Sequence, residues 1–172
     1  NEQMNTGQWG NGGNILPGGD GLFIYGNGEA NRYSRLLIRF NIEGWLPAEA
    51  TVRRAALVVH SSKEGAGGIH LVQGYTALKP WTDGQTWWTN WGRGGSEPGY
   101  IDETPVCRER VGEVGDTHFV LDAAVVQEWL GQPETNHGLL LRNIHDDPSF
   151  HWWAHGDQED NPPKLVIGYD LK

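Results

Sequence analysis

Residues 31–60, NRYSRLLIRFNIEGWLPAEATVRRAALVVH, constrain the fold more than any other stretch of the chain. The first arm alternates strictly, with Ser34, Leu36, Ile38 and Phe40 on one side and Arg35, Leu37, Arg39 and Asn41 on the other. Successive side chains of a strand point to opposite faces, so this arm reads as a strand with one apolar and one mostly polar face. The second arm, Ala55-Ala56-Leu57-Val58-Val59, is apolar on both faces, the pattern of a strand covered on both sides. Leu46-Pro47-Ala48 separates the arms, because proline has no N–H to give to a ladder. A chain organised around such a pair is a β protein.

The remaining segments extend that reading. Short strands are expected at 22–25, 69–75, 117–121, 139–142, 150–155 and 164–169. Residues 1–20, rich in Asn, Gly and Gln, read as irregular, with Trp9 their only large side chain. Residues 92–115 also read as irregular, with a short strand near Val106. One helix is expected at 123–130, capped by Asp122 and ended by Gly131, with Ala123, Val126 and Leu130 on its buried side. Eight or nine short strands and 25 glycines that mark turns point to an all-β fold, a two-sheet antiparallel β-sandwich or jelly roll with one short helix. A length of 172 residues, with no internal repeat or linker, suits a single domain spanning 1–172.

Charge and cysteine usage narrow the partners. Thirteen basic residues against 22 acidic ones give a net charge of −9, a surface that repels phosphate backbones and anionic membranes. No run is long and apolar enough to span a bilayer, so neither nucleic acid nor membrane insertion is expected. The single cysteine, Cys107, excludes an internal disulfide and carries no partnered motif. A start at Asn1 rather than Met reads as a processed mature form or a trimmed domain.

Taken in order, several short motifs resemble the DNRLRE-type β-sandwich modules, a family that includes carbohydrate-binding modules of secreted bacterial and archaeal proteins. They are Asn5-Thr6-Gly7-Gln8-Trp9-Gly10, Arg35-Leu36-Leu37-Ile38-Arg39-Phe40, Leu46-Pro47-Ala48, Trp81-Thr82-Asp83-Gly84 with Thr86-Trp87, Val126-Gln127-Glu128-Trp129-Leu130 with Gly138-Leu139-Leu140-Leu141-Arg142, and Pro163-Lys164-Leu165-Val166-Ile167. The resemblance covers nearly the whole chain and implies a β-sandwich in an extracellular or cell-surface setting. It also implies core positions for Trp81, Trp87 and Trp129. Two departures stand out. The family opens with a strand before its Asn-Thr loop, where this chain has only four residues, and Trp88 and Trp91 replace small polar residues. A sandwich lacking a strand exposes an edge that pairs with whatever strand is at hand.

Candidate chemistry is sparse. Asp146-Asp147 and the group Asp157, Glu159 and Asp160 lie in turn-like sequence and read as solvated acids rather than a catalytic pair. If they hold anything, turn carboxylates with backbone carbonyls suit calcium, so Asp157, Glu159 and Asp160 are the candidate metal ligands. His151 and His155 fall on an expected strand, roughly 13 Å apart, too far to share one zinc ion. No Ser-His-acid order, phosphate loop or nucleotide fingerprint is present, so the expectation is a non-catalytic protein.

The nine tryptophans carry the most functional information. Trp9, Trp45, Trp88, Trp91 and, of the adjacent pair, Trp152 have no assigned core position. Rings exposed on a sandwich either stack on a sugar or bury themselves in another copy of the chain. Two functions follow. One is a structural subunit that self-assembles into an extracellular fibre or surface filament by strand pairing at 1–25 or 164–171; the other is a carbohydrate-binding module that grips polysaccharide through those rings. The short start favours the first.

Overall fold

The structure is a computed structural model that describes residues 4–9, 16–17, 22–27, 32–47, 49–65, 67–82, 90–92, 97–144, 150–156 and 160–171. Its strands are β1 (Met4–Trp9), β2 (Leu16–Pro17), β3 (Leu22–Asn27), β4 (Arg32–Tyr33), β5 (Arg35–Phe40), β6 (Thr51–Ser61), β7 (His70–Ala77), β8 (Ile101–Val111), β9 (Gly115–Leu121), β10 (Leu139–Asn143), β11 (His151–Ala154) and β12 (Lys164–Asp170). A helix, α1 (Ala123–Gly131), joins β9 towards β10. The expected antiparallel sandwich with a short helix is the fold observed.

One layer is a six-stranded sheet in the order β2-β1-β5-β10-β7-β8. The other is built from β12-β6-β9 and β11-β3-β4. These two pieces meet where the backbone N–H of His155, just past β11, donates to His60 O at 2.8 Å, beyond the end of the β12 pairing on β6. Between the layers, Leu36, Ile38 and Phe40 of β5 and Leu139 and Leu141 of β10 share one core with Leu57 and Val59 of β6 and Phe119 of β9. α1 closes one end of that core with Val126 and Trp129. It is fastened to β6, whose Val52 N–H donates to Gln127 Oε1 at 2.8 Å.

Four expectations change. The polar side of the first arm is not a solvent face: Arg35 and Leu37 are buried, and Leu37 belongs to a second core outside the six-stranded sheet. That core gathers Leu37, Tyr75, Ala77, Ile101 and Leu140 under Trp81 and Trp91, so the tryptophan-dense segment covers what alternation alone assigns to water. Conversely, the outer side of β6 is covered only in part, Val58 there being buried. Ala56 there is only half-buried, and Val120, its neighbour on β9, is 69% exposed. Residues 101–111 form a long strand rather than irregular chain, with Pro105 tolerated because β8 is an edge strand and its ladder shifts register on both sides of Tyr75. Residues 4–9, read as irregular, pair along all of β5, from Met4 opposite Phe40 to Trp9 opposite Arg35.

Candidate functional site

The site is assembled on the free side of β12. The strand reads Lys164-Leu-Val-Ile-Gly-Tyr-Asp170 and follows Pro162-Pro163, which ends the preceding segment because neither residue can donate to a ladder. β6 is its one partner among the described strands, in a register running from Lys164 opposite Val58 to Asp170 opposite Thr51. The opposite row of β12 N–H and C=O groups faces outward, the usual template for pairing with another strand.

Three of the other sheet ends are blunted, whereas β9, the opposite end of the β12-β6-β9 piece, is also seven residues long without proline and differs from β12 by exposed Asp116 and His118 along its length. β2 and β4 are two residues each, and β2 contains Pro17. β8 carries Pro105, two register shifts and exposed Asp102, Glu103, Arg108 and Arg110. Short length, proline, bulges and charge are the devices that stop edges from pairing. β12 has charges only at its two ends and no proline within it, and its ladder on β6 shifts register once, between Gly168 and Tyr169.

Side chains beside this edge are apolar. Leu165 and Ile167 turn inward but are only partly buried against the main core. With Trp45 and Leu46 they line an open groove of about 490 Å³. Trp45 is delivered there by a turn in which its N–H donates to Ile42 O at 3.1 Å, Gly44 takes φ +73°, and Asn41 Oδ1 accepts from Glu43 N–H at 3.1 Å. Only glycine adopts that φ without cost, which fixes where the tryptophan emerges. Its ring is 45% exposed. On the outer side, Val166 is 54% exposed and lies in one row with Ala56 and Val120; Tyr169, opposite Val52 and on the face of Leu165 and Ile167, is 42% exposed.

Charges frame the edge. Arg53 Nε donates to Asp170 Oδ2 at 2.6 Å, both side chains facing water. Near the other end, Asp116 is held below the usual carboxylate range, first by the hydrogen bond from His60, at 2.7 Å, which outweighs the opposing desolvation that ranks next, and then by the charges of His60, Lys164 and His118. The His60 ring also meets the His155 ring edge-on, with centroids 4.7 Å apart.

The expected site residues separate. Trp45 is exposed at the groove. Trp91 is fully buried under Tyr100, ring centroids 5.7 Å apart, and Trp152 is fully buried against Phe119 at 6.3 Å. Both expectations of an accessible ring are corrected: one tryptophan covers the outer core and the other faces inward from β11, while Trp153 is the half-exposed member of that pair. Trp9 stands on β1 opposite Arg35, and its side chain, like all of Trp88, lies outside the described residues. Of the calcium candidates, Asp160 is exposed and Asp157 and Glu159 lie outside the described residues, among which no group of three or more potential ligands converges. His151 packs edge-on against Trp153 at 5.8 Å, whereas His155 turns to His60, so the two histidines serve different neighbours. The sequence placed Leu46 in the Leu-Pro turn and Leu165 and Ile167 in the closing strand, and singled out none of them as a site.

No protein-family model matches the chain, and a comparison with curated proteins finds no match.

Proposed function

We propose that the chain is a non-catalytic structural subunit of the cell exterior whose copies assemble into a fibre or surface filament by strand pairing. The observation that carries this reading is the β12 edge: seven residues with an unpaired outer side among the described strands, an apolar groove alongside, and neither the proline nor the two-residue length that blunts β8, β2 and β4. Each ladder bond gained there contributes about 0.5–1.5 kcal/mol net, and burial of Trp45, Leu165 and Ile167 adds to it. The motif order that resembles DNRLRE-type modules supports the extracellular setting. Light scattering over a concentration series, followed by negative-stain imaging, tests the reading. Oligomers or filaments are expected, and a monodisperse 19.1 kDa monomer at every concentration overturns it.

The second reading, a carbohydrate-binding module, draws on the exposed Trp45 ring at the mouth of the groove. In affinity gels it expects retention by an immobilised polysaccharide that Trp45→Ala abolishes. Equal mobility with and without polysaccharide removes it.

A further inference from the structure

The strand at the open edge is self-complementary when read in reverse. Its sequence, K-L-V-I-G-Y-D, has a cation at one end, an anion at the other and Ile167 at the centre. We infer, resting on the self-assembly reading above, that β12 of one copy pairs antiparallel with β12 of a second copy about a two-fold axis at Ile167.

Charge selects this arrangement. In the antiparallel register centred on Ile167, Lys164 of each copy stands opposite Asp170 of the other, on the same face, so the joint carries two attractive pairs. Parallel in-register pairing sets Lys164 against Lys164 and Asp170 against Asp170, which repels at both ends. Moving the centre to Val166 places Lys164 opposite Gly168, and moving it to Gly168 places Asp170 opposite Val166; each shift loses both charge pairs. Asp170 already accepts from Arg53, and a carboxylate has acceptor capacity for a second cation, above all in a pair this open to water.

Packing agrees with charge. The two-fold register keeps the inward faces of both strands on one side of the joint. Ile167 then meets Ile167, and Tyr169 of the second copy lies opposite Leu165, beside the Trp45 groove. On the outer face, the row Val120–Ala56–Val166 continues across the joint to Gly168 of the second copy. The two three-stranded pieces become one six-stranded sheet. A two-fold contact closes on itself, so in a filament it makes the repeating pair and a different surface links one pair to the next.

Cysteine crosslinking of the full chain tests the geometry. Partners in an antiparallel pair have Cα atoms about 4.5–5.5 Å apart, inside the range a disulfide bridges. The native Cys107 is buried, with its thiol pushed up to about 12, and does not compete. Under mild oxidation, Ile167→Cys should form a covalent dimer. Lys164→Cys alone should not, because its two copies sit roughly 20 Å apart, whereas a mixture of Lys164→Cys and Asp170→Cys should give the mixed dimer. As a second measure, Lys164→Glu should weaken dimerisation about tenfold at low salt, and Lys164→Glu with Asp170→Lys should restore it, with circular dichroism confirming that each variant folds. Assemblies in which Lys164→Cys crosslinks to itself, or Ile167→Cys does not, overturn the two-fold contact and leave self-assembly standing. A chain that remains monomeric throughout overturns both.

Discussion

Trp81 is held at three points: its ring lies 5.4 Å from the Arg39 guanidinium carbon, its Nε1 donates to His137 O at 2.8 Å, and its face covers Leu37 and Leu140. A buried indole needs such a partner for its N–H, and the cation over the ring adds about 0.5–1 kcal/mol where it is solvent-facing. Trp91 packs in the same cluster, against Tyr100. Trp91→Ala should therefore cost about 3–5 kcal/mol in chemical denaturation, a core-sized loss from a residue whose sequence context looks like an irregular segment. His137 gives this region a pH dependence. Burial first, and then the nearby charges of Arg39 and Lys79, hold its imidazole below the ordinary value of 6.5. The folded state thus favours the neutral ring, and the stability this provides is present above the unfolded value and lost as pH falls through the lower, folded one. Melting temperature should drop as pH is taken from 7 towards 5, and His137→Gln should flatten that part of the curve. At this scale the sequence was readable in parity only. Alternation told that Leu36 and Leu37 face opposite ways, but a two-residue period contains no information on whether a distant segment will come to cover the second face.

Elements were legible where local signals and tertiary context agreed. The helix was expected at 123–130 and spans Ala123–Gly131, with Asp122 Oδ1 accepting from Ala124 N–H at 2.9 Å as the cap requires. Asp122→Ala should cost about 1 kcal/mol, read from the denaturation midpoint at unchanged slope. β10 and β12 also lie within a residue of their expected ranges because apolar runs bounded by turn residues survive any context. β8 and β1 did not announce themselves. Pro105 and the charges of β8 lower its local strand tendency, and it exists because β7 offers a ladder from His70 to Ala77. Met4–Trp9 has the composition of a loop and becomes a strand because β5 supplies six consecutive partners. The groove beside β12 was invisible for the same reason: Trp45 and Leu165 are 120 residues apart in sequence, and only the turn at Gly44 and the ladder on β6 bring them together.

Across the whole molecule the two long sides of the sandwich differ. On one, β8 and β9 are consecutive strands in opposite layers, linked by the Asp122 N–H donating to Val106 O at 3.2 Å. On the other, β12 ends its sheet with apolar groups still partly in water. The closed side holds the chain's single sulfhydryl, Cys107 of β8, which packs so close to Gly74 of β7 that a Cβ there would sit 2.5 Å from Sγ. A reagent reaches that sulfur when this side opens, by β7 parting from β8 or β8 from the opposite layer. Its alkylation in native buffer is therefore a one-site clock for the opening of that side, gated by strand separation rather than by the chemistry of an exposed thiol. Recorded while copies assemble, the clock would distinguish growth that leaves the subunit intact, at constant labelling rate, from growth that first loosens it.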